Sequence, residues 1–216
     1  MEIYNKFIIN NHNKASEFFY DYGIPERSLI DWCGGLLHDN DNFVDIGSHI
    51  GTYSIKLAHC CAKVYAFEAS KQTYNQMCGS IALHEIRNID TFNVALSNTN
   101  SENEVLWHVS IDGGGNSLIK PEENLIIKNE FVKVAQLDDY NLTNVTLIKI
   151  DIEGNELNCL KGATETIKTN RPKILFESNK DDNNRKELFD FLKSLNYQIN
   201  NINGYCNMFI AYPQRS

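Results

Sequence analysis

Asp45, Glu68, Asn93, Asp151 and Glu177 each fall at or just past the end of a short apolar run. If those runs are strands of one parallel sheet, the five side chains meet at its carboxyl edge, where ligands of open α/β sheets bind. The first opens the segment Asp45-Ile46-Gly47-Ser48-His49-Ile50-Gly51. Glycines at 47 and 51 permit positive φ and let a ligand approach the backbone closely. A helix that starts there aims its unpaired amides at whatever lies over the turn. Glu68 ends the next run, Lys63-Val64-Tyr65-Ala66-Phe67, in a position suited to both hydroxyls of a ribose. The Gly-x-x-x-Gly spacing is not the Gly-x-Gly-x-x-Gly of a dinucleotide pyrophosphate site, which weighs against a nicotinamide dehydrogenase. A nucleoside without a diphosphate fits better, and S-adenosylmethionine leads that class.

The later acids suit a different task. Asp151 and Glu153 lie where the run Val145–Ile150 leaves for a helix, and Glu177 ends the run after it. Acids at a helix entry also favour its dipole, so capping alone accounts for one of them. It does not account for both together with Glu177. A carboxylate within reach of an acceptor hydroxyl can take its proton, and Asp151 is the first candidate, with Glu177 and Glu153 next. Lys149 interrupts an apolar strand and faces the same way as Asp151, since side chains alternate. Without a carboxylate partner, a buried lysine there would lose its charge or cost several kcal/mol. The other reading is a lysine that snorkels from a partly open face. Magnesium held by Asp151 and Glu177 is a variant that the residues do not favour, because no dense Asp-Asp pair marks these strand ends.

The elements that must position these groups alternate. Strands are expected over 43–46, 63–67, 89–94, 145–150 and 173–176, with helices over 51–61, about 71–83, about 155–168 and 183–195. Two final strands are expected near 197–202 and 206–211. Between the third strand and Val145 the rhythm breaks into β segments at 104–109 and 130–134, around the loop Asp112-Gly113-Gly114-Gly115-Asn116-Ser117. The fold class is therefore α/β: a parallel sheet with helices on both faces, a late antiparallel pair and a β insertion after the third strand. Residues before about Asn40 read as helical, with candidates at Ala15–Tyr20 and Pro25–Trp32. Residues 1–41 then form a lid or packing extension, and 42–216 the main domain. His108 lies in the insertion as a candidate base or acceptor contact, though a hydrogen-bonded histidine is the plainer alternative. Trp107 and Tyr140 could stack on a sugar face or belong to the core.

Composition narrows the partners. The chain has 216 residues, enough for one full α/β domain, and a formal net charge of −8. Lys and Arg are scattered singly along it, so a nucleic-acid backbone is a poor partner. The cysteines Cys33, Cys60, Cys61, Cys78, Cys159 and Cys206 show neither Cys-x-x-Cys pairs nor matched histidines. They read as reduced thiols acting as small hydrophobes. No apolar run reaches the ~18 residues of a membrane span, and the start carries no secretory signal. A cytoplasmic location is expected.

Several of these segments, taken in order, resemble the FkbM family of S-adenosylmethionine-dependent methyltransferases. They are Asp45-Ile-Gly-Ser-His-Ile-Gly-Thr-Tyr-Ser, Tyr65-Ala-Phe-Glu-Ala, Asn93-Val-Ala-Leu-Ser, the Gly113–Leu118 loop and Leu137-Asp-Asp-Tyr. Ile148-Lys-Ile-Asp-Ile-Glu-Gly-Asn-Glu-Leu is the most diagnostic piece, followed by Lys161-Gly-Ala and Arg171-Pro-Lys-Ile-Leu-Phe-Glu. The resemblance runs from about 42 to 180 and leaves 1–41 outside it. It implies a class I methyltransferase (Rossmann-like) seven-stranded sheet and transfer of a methyl to a hydroxyl of a sugar, glycan or other small acceptor. The cofactor-binding set it implies is Asp45, Gly47, His49, Gly51, Thr52, Glu68, Ala69, Asn93, Ala95 and Asp151, with His108, Asn116 and Ser117 on the acceptor side. Where the family carries Ala-Asn, this chain has Ser48-His49. An RNA ribose methyltransferase, or a methyltransferase fold that only scaffolds a partner, are the alternatives.

Overall fold

Two short strands, β1 (Glu2–Tyr4) and β2 (Phe7–Ile9), pair as an antiparallel hairpin at the start of the computed structural model. The model describes residues 1–10, 17, 19–21, 23–179, 184–205 and 207–214. The chain continues through α1 (Arg27–Gly34), β3 (Asn42–Ile46), α2 (Thr52–Leu57), β4 (Lys63–Phe67), α3 (Lys71–His84) and β5 (Ile89–Phe92). Then come β6 (Ala95–Leu96), β7 (Ser101–His108), β8 (Lys128–Ala135), β9 (Val145–Ile150), α4 (Glu156–Lys161) and α5 (Thr164–Asn170). Strand β10 (Lys173–Glu177), α6 (Arg185–Ser194), β11 (Tyr197–Asn201) and β12 (Met208–Pro213) follow. Among the described residues, no helix is long and apolar enough to cross a membrane.

Seven strands form the main sheet in the order β11-β12-β10-β9-β3-β4-β5, parallel except where β12 runs against both its neighbours. The winding reverses between β3 and β9, so a crevice opens at their carboxyl ends. Strand alternation divides the core into two faces. Val44, Ile46, Ile148, Ile150, Ile174 and Phe176 pack against Leu157 and Leu160 of α4, Ile167 of α5, and Leu188 and Leu192 of α6. Phe43, Leu147 and Leu175 point the other way, toward Leu29, Ile30 and Cys33 of α1 and Tyr53 and Leu57 of α2. The insertion makes a separate three-stranded sheet in the order β6-β8-β7.

Three expectations shift. The opening segment is a hairpin before it is helical, because Phe7 and Ile9 alternate inward onto Met77 and Ile81 of α3. The predicted helix at Ala15–Tyr20 lies largely outside the described residues, and α1 begins two residues after Pro25, with Glu26 in the left-handed region at φ 54°. The helix expected over 155–168 is two helices. Gly162 lies so close to the neighbouring chain that a Cβ there would stand 2.0 Å from the Ser97 carbonyl oxygen. Asp138 then caps the second helix from outside, accepting from the amides of Glu165 at 3.0 Å and Thr166 at 2.8 Å.

Alanine at a glycine whose φ/ψ it tolerates ordinarily stabilises a protein by about 0.4–1 kcal/mol. Gly162→Ala should do the reverse and cost more than about 2 kcal/mol, because the obstruction is backbone. Urea unfolding should show the midpoint falling with its slope unchanged.

Candidate active site

The turn after β3 is fixed from three sides. The amides of Gly47 and Ser48 both donate to the Phe67 carbonyl at 3.0 Å, and the Ser48 hydroxyl donates to the carbonyls of Asp45 and Phe67. Gly47 has φ 73°, and a Cβ there would stand 1.9 Å from the Asp151 carbonyl oxygen, so β9 closes against this turn only because the residue is glycine. His49 follows in the left-handed region and donates its amide to Glu68 Oε2 at 2.9 Å. Glu68 Oε1 accepts from Ser70. Burial pushes the Glu68 carboxyl up, against the pull of His49 and of these two amides.

Lys149 and Asp45 are direct partners across β3 and β9. The Lys149 ammonium is buried, donates to the Gly47 carbonyl at 2.9 Å, and lies 3.7 Å from Asp45 Oδ1 and 3.4 Å from Asp151 Oδ2. It also sits over the Tyr53 ring, 5.3 Å from the centroid. Burial works against its charge, yet Asp151, Asp45 and Glu26 outweigh burial and hold it above the ordinary lysine range. Burial likewise pushes Asp45 up, against Lys149 and the hydrogen bonds from the Ser54 amide and hydroxyl.

Asp151, Glu153 and Glu177 converge, with one carboxylate oxygen from each lying within 4.8 Å of the others. Glu177 shares a hydrogen bond with Asp151. Burial and then the charges of Asp151 and Glu153 push Glu177 up to about 7. Glu153 is raised by burial and by Asp151, against Lys149 and a hydrogen bond from the Gly115 amide. The turn that presents them is held by Glu156, whose Oε1 accepts from the amides of Ile152 at 3.1 Å and Gly154 at 3.2 Å. Burial takes Glu156 to about 7 despite those bonds.

One cavity of about 260 Å³ is lined by Glu68, Lys149, Asp151 and Glu153 together. Gly47, His49, Thr52, Glu68, Ala69, Ala95, Asn116, Asp151 and Glu153, all expected from sequence, line it. Phe67, Val94, Leu96, Leu106 and Leu118 form an apolar end, while Phe19, Pro25, Glu26 and Tyr53 wall the other. The glycine loop of the insertion closes over the turn, and the His49 ring meets the Asp112 carbonyl at 2.7 Å. His49, the departure from the family pattern, thus ties down a covering loop.

Other expected contacts are not on the cavity wall. Asp45 lies wholly buried behind the turn, where it holds α2 and Lys149, so it positions the site from beneath. Gly51 caps α2 at φ 88° and packs toward Met77. Asn93 donates to the carbonyls of Glu68 and Ala69 at 2.9 Å, pinning the end of β4 where the chain leaves the main sheet. His108 is buried and hydrogen-bonded to Glu130 at 2.9 Å; burial lowers it, against the Glu130 carboxylate. Ser117 donates to the Glu153 carbonyl and bridges to Trp107. Tyr140 belongs to an aromatic cluster with Phe67 and Phe92, each 5.0 Å away. Glu177 stands behind Asp151. Sequence reasoning missed Glu26, Tyr53 and Glu156; Tyr53 and Glu156 fall inside motifs already singled out, while Glu26 carried no signal.

The model of the methyltransferase FkbM domain matches residues 45–199. Methyltransferase sdnD of Sordaria araneosa is 25% identical over 179 residues, covering 66% of this chain and 68% of that protein. Methyltransferase 1 of Beauveria bassiana (strain ARSEF 2860) is 23% identical over 174 residues, covering 69% and 70%. Among solved structures, methyltransferase FkbM from Methylobacillus flagellatus KT superposes with a TM-score of 0.60 at 20% identity, covering 82% of this chain. This chain spans 45% of that larger one. A Streptococcus mutans chain crystallised in complex with SAH gives 0.53 at 13% identity, covering 88% of this chain and 98% of that one. At such identities the structural likeness bears on the fold alone, and that fold is the class I methyltransferase fold.

Removing one member of a buried charge network leaves the others uncompensated, at about 3–5 kcal/mol. Lys149→Met should lose stability on that scale in urea unfolding. Adding Asp45→Asn should restore part of it, whereas additive losses would separate the two residues.

Proposed function

Because the chain belongs to the methyltransferase FkbM domain family, we propose that its cavity binds S-adenosylmethionine and serves methylation of a hydroxyl oxygen on a small, sugar-like acceptor. One cavity holds both Glu68 and Asp151, and that juxtaposition carries the proposal. The donor set fits the cofactor. Glu68 offers a carboxylate for ribose hydroxyls, and Phe67, Val94, Leu96, Leu106 and Leu118 offer an apolar slot for a base. When bound, the cofactor supplies an electrophilic methyl group on a sulfonium centre.

The protein supplies position and a proton acceptor. Holding two reactants at attack distance can be worth roughly 7–11 kcal/mol. The loop 113–116 forms part of the cavity wall. Asp151 accepts the proton as the hydroxyl oxygen becomes nucleophilic. Lys149 and the Glu177 hydrogen bond fix the orientation of that carboxylate. The acceptor is a small hydroxylated molecule rather than nucleic acid, since four acidic residues and one lysine line the cavity.

Isothermal titration with S-adenosylmethionine tests the cofactor, and Glu68→Gln should weaken binding roughly tenfold or more. No binding by the native chain would end the proposal. In methyl-transfer assays on hydroxylated acceptors, Asp151→Asn should lower kcat by about 100- to 10,000-fold while cofactor binding persists. Glu177 in its protonated form donates to Asp151 and weakens it as a base. It loses that proton as pH rises through about 7, so kcat/KM should climb through the same window. Glu177→Gln remains a donor at every pH and should hold the rate at its low-pH level.

A further inference from the structure

The three cations Lys6, Arg27 and Lys56 are far apart in sequence, yet the fold gathers them around one concavity. A groove of about 450 Å³ is lined by Asn5 and Lys6 from the β1–β2 turn, by Gly23, Ile24 and Arg27, and by Lys56 of α2. In a chain of net charge −8, every charged residue among the described residues of its wall is positive. Among the described residues, Lys6 and Lys56 have no ion-pair partner. Arg27 Nε donates to Asp31 Oδ2 at 3.2 Å and Oδ1 at 3.4 Å, and among the described residues its Nη groups have no hydrogen-bond partner. Lys56 is half-buried with its ammonium 5.9 Å from the Phe7 ring centroid, so packing holds its stem in place. Pro25 and Glu26 face the methyl-transfer cavity, while their neighbours Gly23, Ile24 and Arg27 face this groove, so one segment walls both.

Like charges brought together this way repel unless an anion joins them. A guanidinium offers a planar fork and two ammonium groups add point charges, a donor set suited to a tetrahedral oxyanion. We propose that the groove is a second binding site, separate from the methyl-transfer cavity, for a phosphate-type oxyanion, free or carried on a larger ligand. It does not depend on the cofactor assignment.

Pyrophosphate titrated into the native chain and into Lys6→Glu/Lys56→Glu tests it, followed calorimetrically. Neither lysine contacts the cavity that holds Glu68 and Asp151, so S-adenosylmethionine affinity and the circular dichroism spectrum serve as controls. Saturable binding should weaken at least about tenfold in the double variant and fall with salt, given a Debye length near 8 Å at physiological ionic strength. Equal affinity in both chains, or no binding by the native chain at low salt, would overturn the site. A hexose monophosphate that binds about tenfold more tightly than inorganic phosphate assigns the groove to a phosphorylated ligand. Equal affinities assign it to the free ion, and either supports the site. If pyrophosphate binds but S-adenosylmethionine does not, this site stands while the proposed function fails.

Discussion

A buried ammonium at the point where the sheet reverses its winding sets the geometry of everything above it. Lys149 holds the carbonyl of the glycine turn from β3 and the carboxylate that leaves β9 in one ion-pair network. It tolerates burial because Asp45 faces it across the parallel ladder and Asp151 follows two residues on, just past the end of β9. The network has a steric counterpart in Gly47, where any side chain would strike the Asp151 backbone. Charge and close approach therefore enforce the same register, bringing the glycine turn against the strand that carries the acid. A shift of one residue in β9 would turn Lys149 onto the opposite face, into apolar side chains with no carboxylate to meet it.

Legibility in the sequence followed period and position. Strand β4, strand β9 and helix α3 were readable almost to the residue, because unbroken apolar runs and turn signals bound them. The convergence of Asp151, Glu153 and Glu177 was readable from their places at strand ends. So was the pairing of Lys149 with Asp151, from strand alternation. The duty of Asp45 was not. An acid before a glycine turn reads as a ligand contact, and only the packed structure shows its oxygen on Ser54 at 2.6 Å. The break at Gly162 was equally hidden, since it depends on Ser97, far away in sequence. The partner of His108 was hidden too, because Glu130 sits on another strand.

The walls of the cavity have two origins. Its floor and the acidic rim come from the common sheet, and their residues lie within the family match. Its roof comes from the β insertion, and one end comes from Phe19, Pro25 and Glu26, which precede that match. Floor and roof are joined by hydrogen bonds: His49 to the Asp112 carbonyl, Ser117 to the Glu153 carbonyl, and Asn155 to the Leu96 carbonyl at 3.2 Å. Loops tied in this way can vary in sequence without disturbing the sheet. Differences in acceptor among relatives would then be written in the insertion and the opening segment.

Charge gives an independent reason for preferring a sulfonium cofactor over a dinucleotide. Glu26, Glu68, Asp151 and Glu153 line the cavity and Lys149 is the one cation among its described lining residues. Asp45 already balances that cation from beneath. A diphosphate brought into such a space would meet uncompensated carboxylates at low effective dielectric, where repulsion is strong. A ligand of net positive charge meets the opposite field and relieves the crowding of acids. The same field disfavours any second ligand that brings a phosphate or carboxylate next to these acids. The carboxyl cluster thus acts as a group on whatever enters the cavity, favouring cationic ligands and opposing anionic ones.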